Sequence, residues 1–263
     1  MNKTIKTVIF IVAIVVIVII GLLFFVSKKG NTVNNEQKAG NVSSWTCGSP
    51  LVDTRDAKNY KTVLIGKQCW MAENINVGIK IAGSENQGTN CSSIQKYCYD
   101  DNDNNCKLYG GLYQWNQTMC GSITAGTQGI CPIGWHVPSH DEFTTLERAV
   151  CISSTCATDF PYDSSNYIGE RGTNEGRVLR VGGTSKFNVM FAGSRYPTGE
   201  YNSKTASGSF NAINVWGTFW SSSTRPPATW SAWDRTFDSG KSTIYRIDNE
   251  RGYGVSVRCL KNK

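Results

Sequence analysis

Both histidines of the chain, His136 and His140, stand four residues apart in CPIGWHVPSHDEFTTLE (131–147), and Asp141 and Glu142 follow at once. Two imidazoles beside two carboxylates are the raw material of a zinc site or an acid–base pair. The spacing denies that chemistry. Pro138 disfavours helical dihedrals at Val137, so the two rings cannot share one helical face as those of H-E-x-x-H do. A helix start is predicted instead: Ser139 is the N-cap, Glu142 at N3 completes a capping box, and both acidic residues complement the positive helix end. Phe143, Leu146 and Val150 then mark the buried face, and His140 is expected as an exposed first-turn residue.

A second cluster is YDDNDNNC (99–106), where Asp100, Asp101, Asp103 and Asn105 place oxygens at nearly alternate positions, as calcium prefers. Counted from Asp101, an EF-hand would need Gly and Glu where Cys106 and Leu112 stand. The competing reading is a polar turn inside a small ring. No other cofactor is suggested. A third cluster is aromatic: four of the eight tryptophans fall between Trp216 and Trp233. Trp230 follows two prolines in TRPPATW, a stretch expected as loop, with Arg225 close by. These two are the candidate ligand-binding residues, a stacking ring and a cation. The bland alternative for Trp230 is a ring covering the core edge, and Trp220 and Trp233 are expected in the core.

Motifs for catalysis are missing. There is no G-x-S-x-G elbow and no G-x-x-x-x-G-K-[ST] phosphate loop, and no feature singles out a carboxylate pair for glycoside hydrolysis. A non-enzymatic protein is expected.

The elements that must position these residues follow from periodicity. Residues 62–65 and 68–71 are rich in β-formers around Gly66 and predict a hairpin, followed by a glycine-rich loop. Leu108, Leu112, Trp115 and Met119 are spaced as one face of a helix. Beyond Cys156 short β-like runs alternate with Gly, Ser, Asn and Pro. Tyr245/Ile247 and Val255/Val257 suggest strands with one buried face. Two helices and many short strands make an α+β domain, in which the first hairpin and last strand can pair.

Residues 7–27 form an uncharged run of 21 residues, long enough to span a bilayer that needs about 20. The run ends without a small-residue cleavage site, so an uncleaved anchor is expected, with residues 1–6 as cytoplasmic tail. Residues 28–44 are polar and read as a flexible stalk, leaving 45–263 as one domain. All ten cysteines lie from Cys47 to Cys259 with no C-x-x-C pair, which favours disulfides and an extracytoplasmic address. The formal charge of +7 falls to +3 from Trp45 onward, with 22 basic against 19 acidic residues, which is no nucleic-acid footprint.

Several stretches resemble the Fibrobacter succinogenes major paralogous domain of secreted and surface bacterial proteins. They are residues 52–76, CYDDNDNNCKLYGGLYQW (98–115), the histidine stretch, FAGSRY, FWSSS, AWDRTF and YGVSVRC, in the family's order. The resemblance implies a fold similar to C-type lectin-like and formylglycine-generating-enzyme-like domains: two helices beside small antiparallel sheets, with long disulfide-tied loops. It also implies a Cys98–Cys106 pair and a long Cys131–Cys259 bridge. Cys151 and Cys156 look local, and the pairing of Cys47, Cys69, Cys91 and Cys120 stays open. The E-P-N, Q-P-D and W-N-D tripeptides of calcium-dependent sugar-binding lectins do not occur, and formylglycine-type catalysis would need reactive cysteines where only Cys259 stands. The expected function is a membrane-anchored, non-catalytic cell-surface binding module for a polysaccharide or surface protein. The alternatives are a self-assembling envelope or appendage component, then an enzyme on the same fold.

Overall fold

Strands dominate the residues that the computed structural model describes, which are 45–162, 168–198, 207–226 and 228–263. The expected tail, anchor and stalk (1–6, 7–27 and 28–44) lie outside the described residues. Among those described, no helix is long and apolar enough to cross a membrane.

Two hairpins come first, β1 (Leu51–Asp53) with β2 (Lys58–Tyr60) and β3 (Thr62–Ile65) with β4 (Gln68–Met71). The second is the hairpin expected, paired from Thr62↔Met71 to Ile65↔Gln68 and turning on Gly66 at φ 58°. A short parallel pair follows, β5 (Ile79–Lys80) with β6 (Gln95–Lys96). Next come helices α1 (Asp103–Tyr109) and α2 (Trp115–Thr118), then β7 (Trp135–His136), α3 (His140–Val150) and α4 (Cys156–Asp159). The remainder is β8 (Gly169–Arg171), α5 (Glu175–Leu179), β9 (Ala192–Arg195), β10 (Phe210–Ile213), β11 (Trp216–Arg225), β12 (Ala228–Asp238), β13 (Ile244–Glu250) and β14 (Leu260–Lys261).

The α+β, C-type lectin-like expectation of two helices beside small antiparallel sheets is overturned. The described chain is mostly β, and its largest sheet has six strands in the order β10-β9-β11-β12-β13-β8, with β9 parallel to β11. Only α3, at 11 residues, exceeds two turns among the described helices. The helix expected across 108–119 is broken because Gly110 takes φ 84° and packs so close that a Cβ there would lie 2.6 Å from that of Asn74. Leu108 is left exposed, while Leu112 and Tyr113 are extended and bridge to Tyr97 and Val255.

The last strand does return to the first hairpin, since Leu260 on β14 pairs with Trp70 on β4 and with His136 on β7. All ten cysteines are bridged, with Cys98–Cys106, Cys131–Cys259 and Cys151–Cys156 as expected. Cys47–Cys69 and Cys91–Cys120 complete the set.

The six-stranded sheet has two unlike faces. Its first face carries Phe219, Phe237 and Ile244, which pack with Trp70, Phe143 and Leu146 of the hairpin and α3. On its second face Trp220 and Ala232 pack with Tyr113, Trp115 and Val255, so this cluster covers one end, and among the described residues the other end is open. The serines of FWSSS leave the β11–β12 ladder at a register shift after Trp220. There Ser221 O accepts the Trp115 indole N–H, and Ser223 Oγ accepts the amide of His140 at the start of α3.

Candidate functional site

The capping box at α3 forms as expected: Ser139 Oγ accepts the amide of Glu142, and Glu142 Oε2 accepts that of Ser139. The two histidines part company. His136 places Nδ1 2.7 Å from Asn262 Oδ1 and Nε2 2.9 Å from Glu142 Oε1. Burial disfavours the charged ring, but these two oxygens prevail and hold its pKa above the ordinary value. His140 is buried rather than exposed, its ring 4.7 Å from that of Trp233 and its Nδ1 3.3 Å from Arg235. Side chains on β12 claim it, which a local reading of the helix start could not foresee.

Beneath that helix, on the first face, Glu147 accepts from Arg235 Nε and Arg246 Nη2, and all three side chains are buried. Arg246 also donates to Thr144 Oγ1 and Pro161 O. The motif arginines of FAGSRY and YGVSVRC are likewise spent on structure. Arg195 donates to the carbonyls of Gly83, Glu85 and Gly252, and Arg258 to those of Phe187 and Asn188 and to Asn74 Oδ1. Each fork ties distant loops together through a geometry that Lys cannot supply.

The oxygen cluster does not converge. Asp101 Oδ1 accepts the amide of Gly83 at 2.8 Å, Asp103 lies 2.7 Å from Lys80 Nζ, Asn105 donates to Tyr99 O, and Asp100 is exposed at φ 54°. Among the described residues no group of three or more His, Cys, Asp or Glu side chains can hold a metal. Trp230 lies within β12 rather than in a loop and is 59% exposed. Arg225, at the end of β11, is half-buried. It donates to Asp248 Oδ1 at 3.1 Å and lies 5.7 Å from the centre of the Trp233 ring. Trp220 and Trp233 are in the core as expected.

A concavity of about 560 Å³ lies elsewhere, at the open end of the second face as the described residues form it. Alternation along three strands builds its centre. Trp216 and Thr218 on β11, Thr236 and Asp238 on β12, and Tyr245 and Asn249 on β13 all point into one groove. Ser194 and Asn211 extend it over β9 and β10, and Glu170 over β8, so it crosses the whole sheet. At one end the Tyr196 and Tyr253 rings meet at a tilt of 58° with centres 5.7 Å apart, and Asn211 Nδ2 donates to the Tyr196 hydroxyl at 2.7 Å. At the other end Lys241 pairs with Glu170, which also accepts from Thr243 Oγ1, while Asp238 accepts the amide of Gly240.

Under the groove floor Asp234 is wholly buried. It accepts from Asn249 Nδ2 at 2.7 Å and Thr236 Oγ1 at 3.2 Å, and Thr236 Oγ1 lies 3.0 Å from Thr218 Oγ1. Burial pushes its pKa up to about 8 despite these hydrogen bonds and the nearby Arg235 charge, so the carboxyl is mainly protonated at neutral pH. Two groove-lining groups, Thr236 and Asn249, are thereby fixed by a neutral acid.

Sequence reasoning placed no site here, and its one relevant reading was inverted. Tyr245 and Ile247 were expected to face the core; they line the groove, and the buried face of β13 is Ile244 and Arg246. A charged Arg246 inside, paired by Glu147 from another element, hides the alternation. The usable signal was Trp216/Thr218 and Asp234/Thr236/Asp238 alternating with Gly217/Phe219 and Arg235/Phe237.

A family model described as the Fibrobacter succinogenes major domain matches residues 63–261. No curated protein and no solved structure matches the chain significantly.

Proposed function

The chain belongs to the Fibrobacter succinogenes major domain family, and we propose that it is a non-catalytic binding module of the bacterial cell surface. It takes a carbohydrate or protein ligand in the groove on the second face of the large sheet. The observation that carries this reading is the groove itself, a concavity of about 560 Å³ in which aromatic rings alternate with amides and hydroxyls on rigid strands. Each acidic group in the groove or under its floor already has a partner: Glu170 has Lys241, Asp238 has an amide, and the buried Asp234 has Asn249 and Thr236. That engagement suits fixed recognition better than proton transfer to a substrate.

The surface address is supported by five disulfides, which persist in oxidising compartments, and by the 21-residue apolar run before them. In this reading the run is a single membrane pass with the N-terminus in the cytoplasm and residues 45–263 outside. The test is binding of the full chain to arrayed glycans and peptides. Some ligand is expected whose retention drops at least tenfold in Trp216→Ala and holds in Trp230→Ala. An array on which Trp216→Ala changes nothing contradicts the proposal.

A further inference from the structure

Resting on the groove as the binding face, we infer that its ligand is a neutral saccharide chain rather than an acidic glycan or a peptide. Charge is the first argument. Among the described residues no arginine lines the groove, and the one cation there, Lys241, is paired with Glu170, so they offer an acidic sugar no uncompensated positive charge. Asp238 adds a negative charge at the same end and repels a carboxylate or sulfate further.

Hydrogen-bonding capacity is the second argument. The polar wall is made of Thr218, Thr236, Thr243, Asn211 and Asn249: the hydroxyl protons of Thr236 and Thr243 go to Asp234 and Glu170, which leaves their oxygens as acceptors, while the amides of Asn211 and Asn249 each keep a second N–H to donate. A sugar hydroxyl is both donor and acceptor, so such a wall satisfies it in either sense. A peptide backbone instead needs a row of fixed N–H and C=O partners, which a sheet offers at an edge. This groove crosses the face of the sheet, where the backbone groups of β11, β12 and β13 are already committed to the ladders.

Shape is the third argument. Six strands at about 4.8 Å spacing give a trough roughly 24 Å across, which favours an extended oligomer over a monosaccharide. Trp216 and Tyr245, rings that line the floor beside the hydroxyls and amides, offer flat apolar surfaces to the C–H faces of pyranose rings.

The test is calorimetric titration of the full chain in detergent with cello-, xylo-, manno- and maltohexaose, and separately with hexagalacturonate and a random octapeptide pool. Binding of at least one neutral hexasaccharide is expected, weakened tenfold or more by Trp216→Ala and measurably by the near-isosteric Thr218→Val. Unchanged thermal midpoints exclude loss of fold as the cause. Hexagalacturonate or peptide binding that is sensitive to Trp216→Ala, with no neutral sugar bound, overturns the saccharide assignment but leaves the binding face standing. No binding of any probe that is sensitive to Trp216→Ala overturns both.

Discussion

The two faces of the six-stranded sheet handle polar groups in opposite ways. The first face buries full charges and neutralises them in place, with Arg235 and Arg246 meeting Glu147 beneath α3. The second face, at its open end, keeps a carboxyl protonated under Thr236 and Asn249 and presents amides, hydroxyls and rings, with the charged Glu170, Lys241 and Asp238 gathered at one end. Buried charge networks hold elements in one arrangement, and removing one member strands the others. Neutral polar groups over a rigid floor leave a surface that can exchange water for a ligand. One sheet therefore serves as core on one side and recognition surface on the other.

The largest expected effect breaks the first face. Glu147→Ala leaves two buried guanidinium groups without their carboxylate and should cost about 3–5 kcal/mol in denaturant unfolding. Ligand affinity of the fraction that still folds should be unchanged. Next is the Cys131–Cys259 bridge, whose sulfurs lie in the cluster covering the other end of the second face. Replacing both cysteines by Ala frees a loop of 128 residues and should cost about 2–5 kcal/mol by the same measurement.

Asp234 sharpens the contrast through pH. Its folded-state pKa of about 8 lies above the unfolded value of ~3.9, so the folded chain holds the proton where the unfolded chain has released it. The stabilising contribution is whole below pH ~4, declines as pH rises, and is gone above about 8. The thermal midpoint of the parent should therefore fall between pH 5 and 8.5 more steeply than that of Asp234→Asn. The raised pKa of His136 also acts in this window, but both proteins share it, so the difference isolates Asp234. Parallel curves would contradict the assignment. The smallest effect on stability belongs to Trp216→Ala on the open face: Trp216 is 40% exposed, and its loss should stay within about 1 kcal/mol while ligand affinity drops.

Local features were legible in the sequence. The β3–β4 hairpin, the capping box at Ser139 and Glu142, and the three named cysteine pairs depend on residues close in sequence or on the family pattern. What failed depended on partners from elsewhere. His140 is buried by Trp233 and Arg235, the helix across 108–119 yields to the close approach of Asn74 at Gly110, and the face of β13 is set by a buried ion pair. The groove escaped notice because its residues come from six strands and the loops beside them, and none of them is unusual alone.

Hydroxyl-radical footprinting of the full chain, with and without the neutral hexasaccharides, tests the separation of faces most directly. Protection is expected at Trp216, Tyr245 and Tyr253, with Trp230 at the far end of β12 equally labelled in both states. Protection at Trp230 and unchanged labelling in the groove would contradict the account.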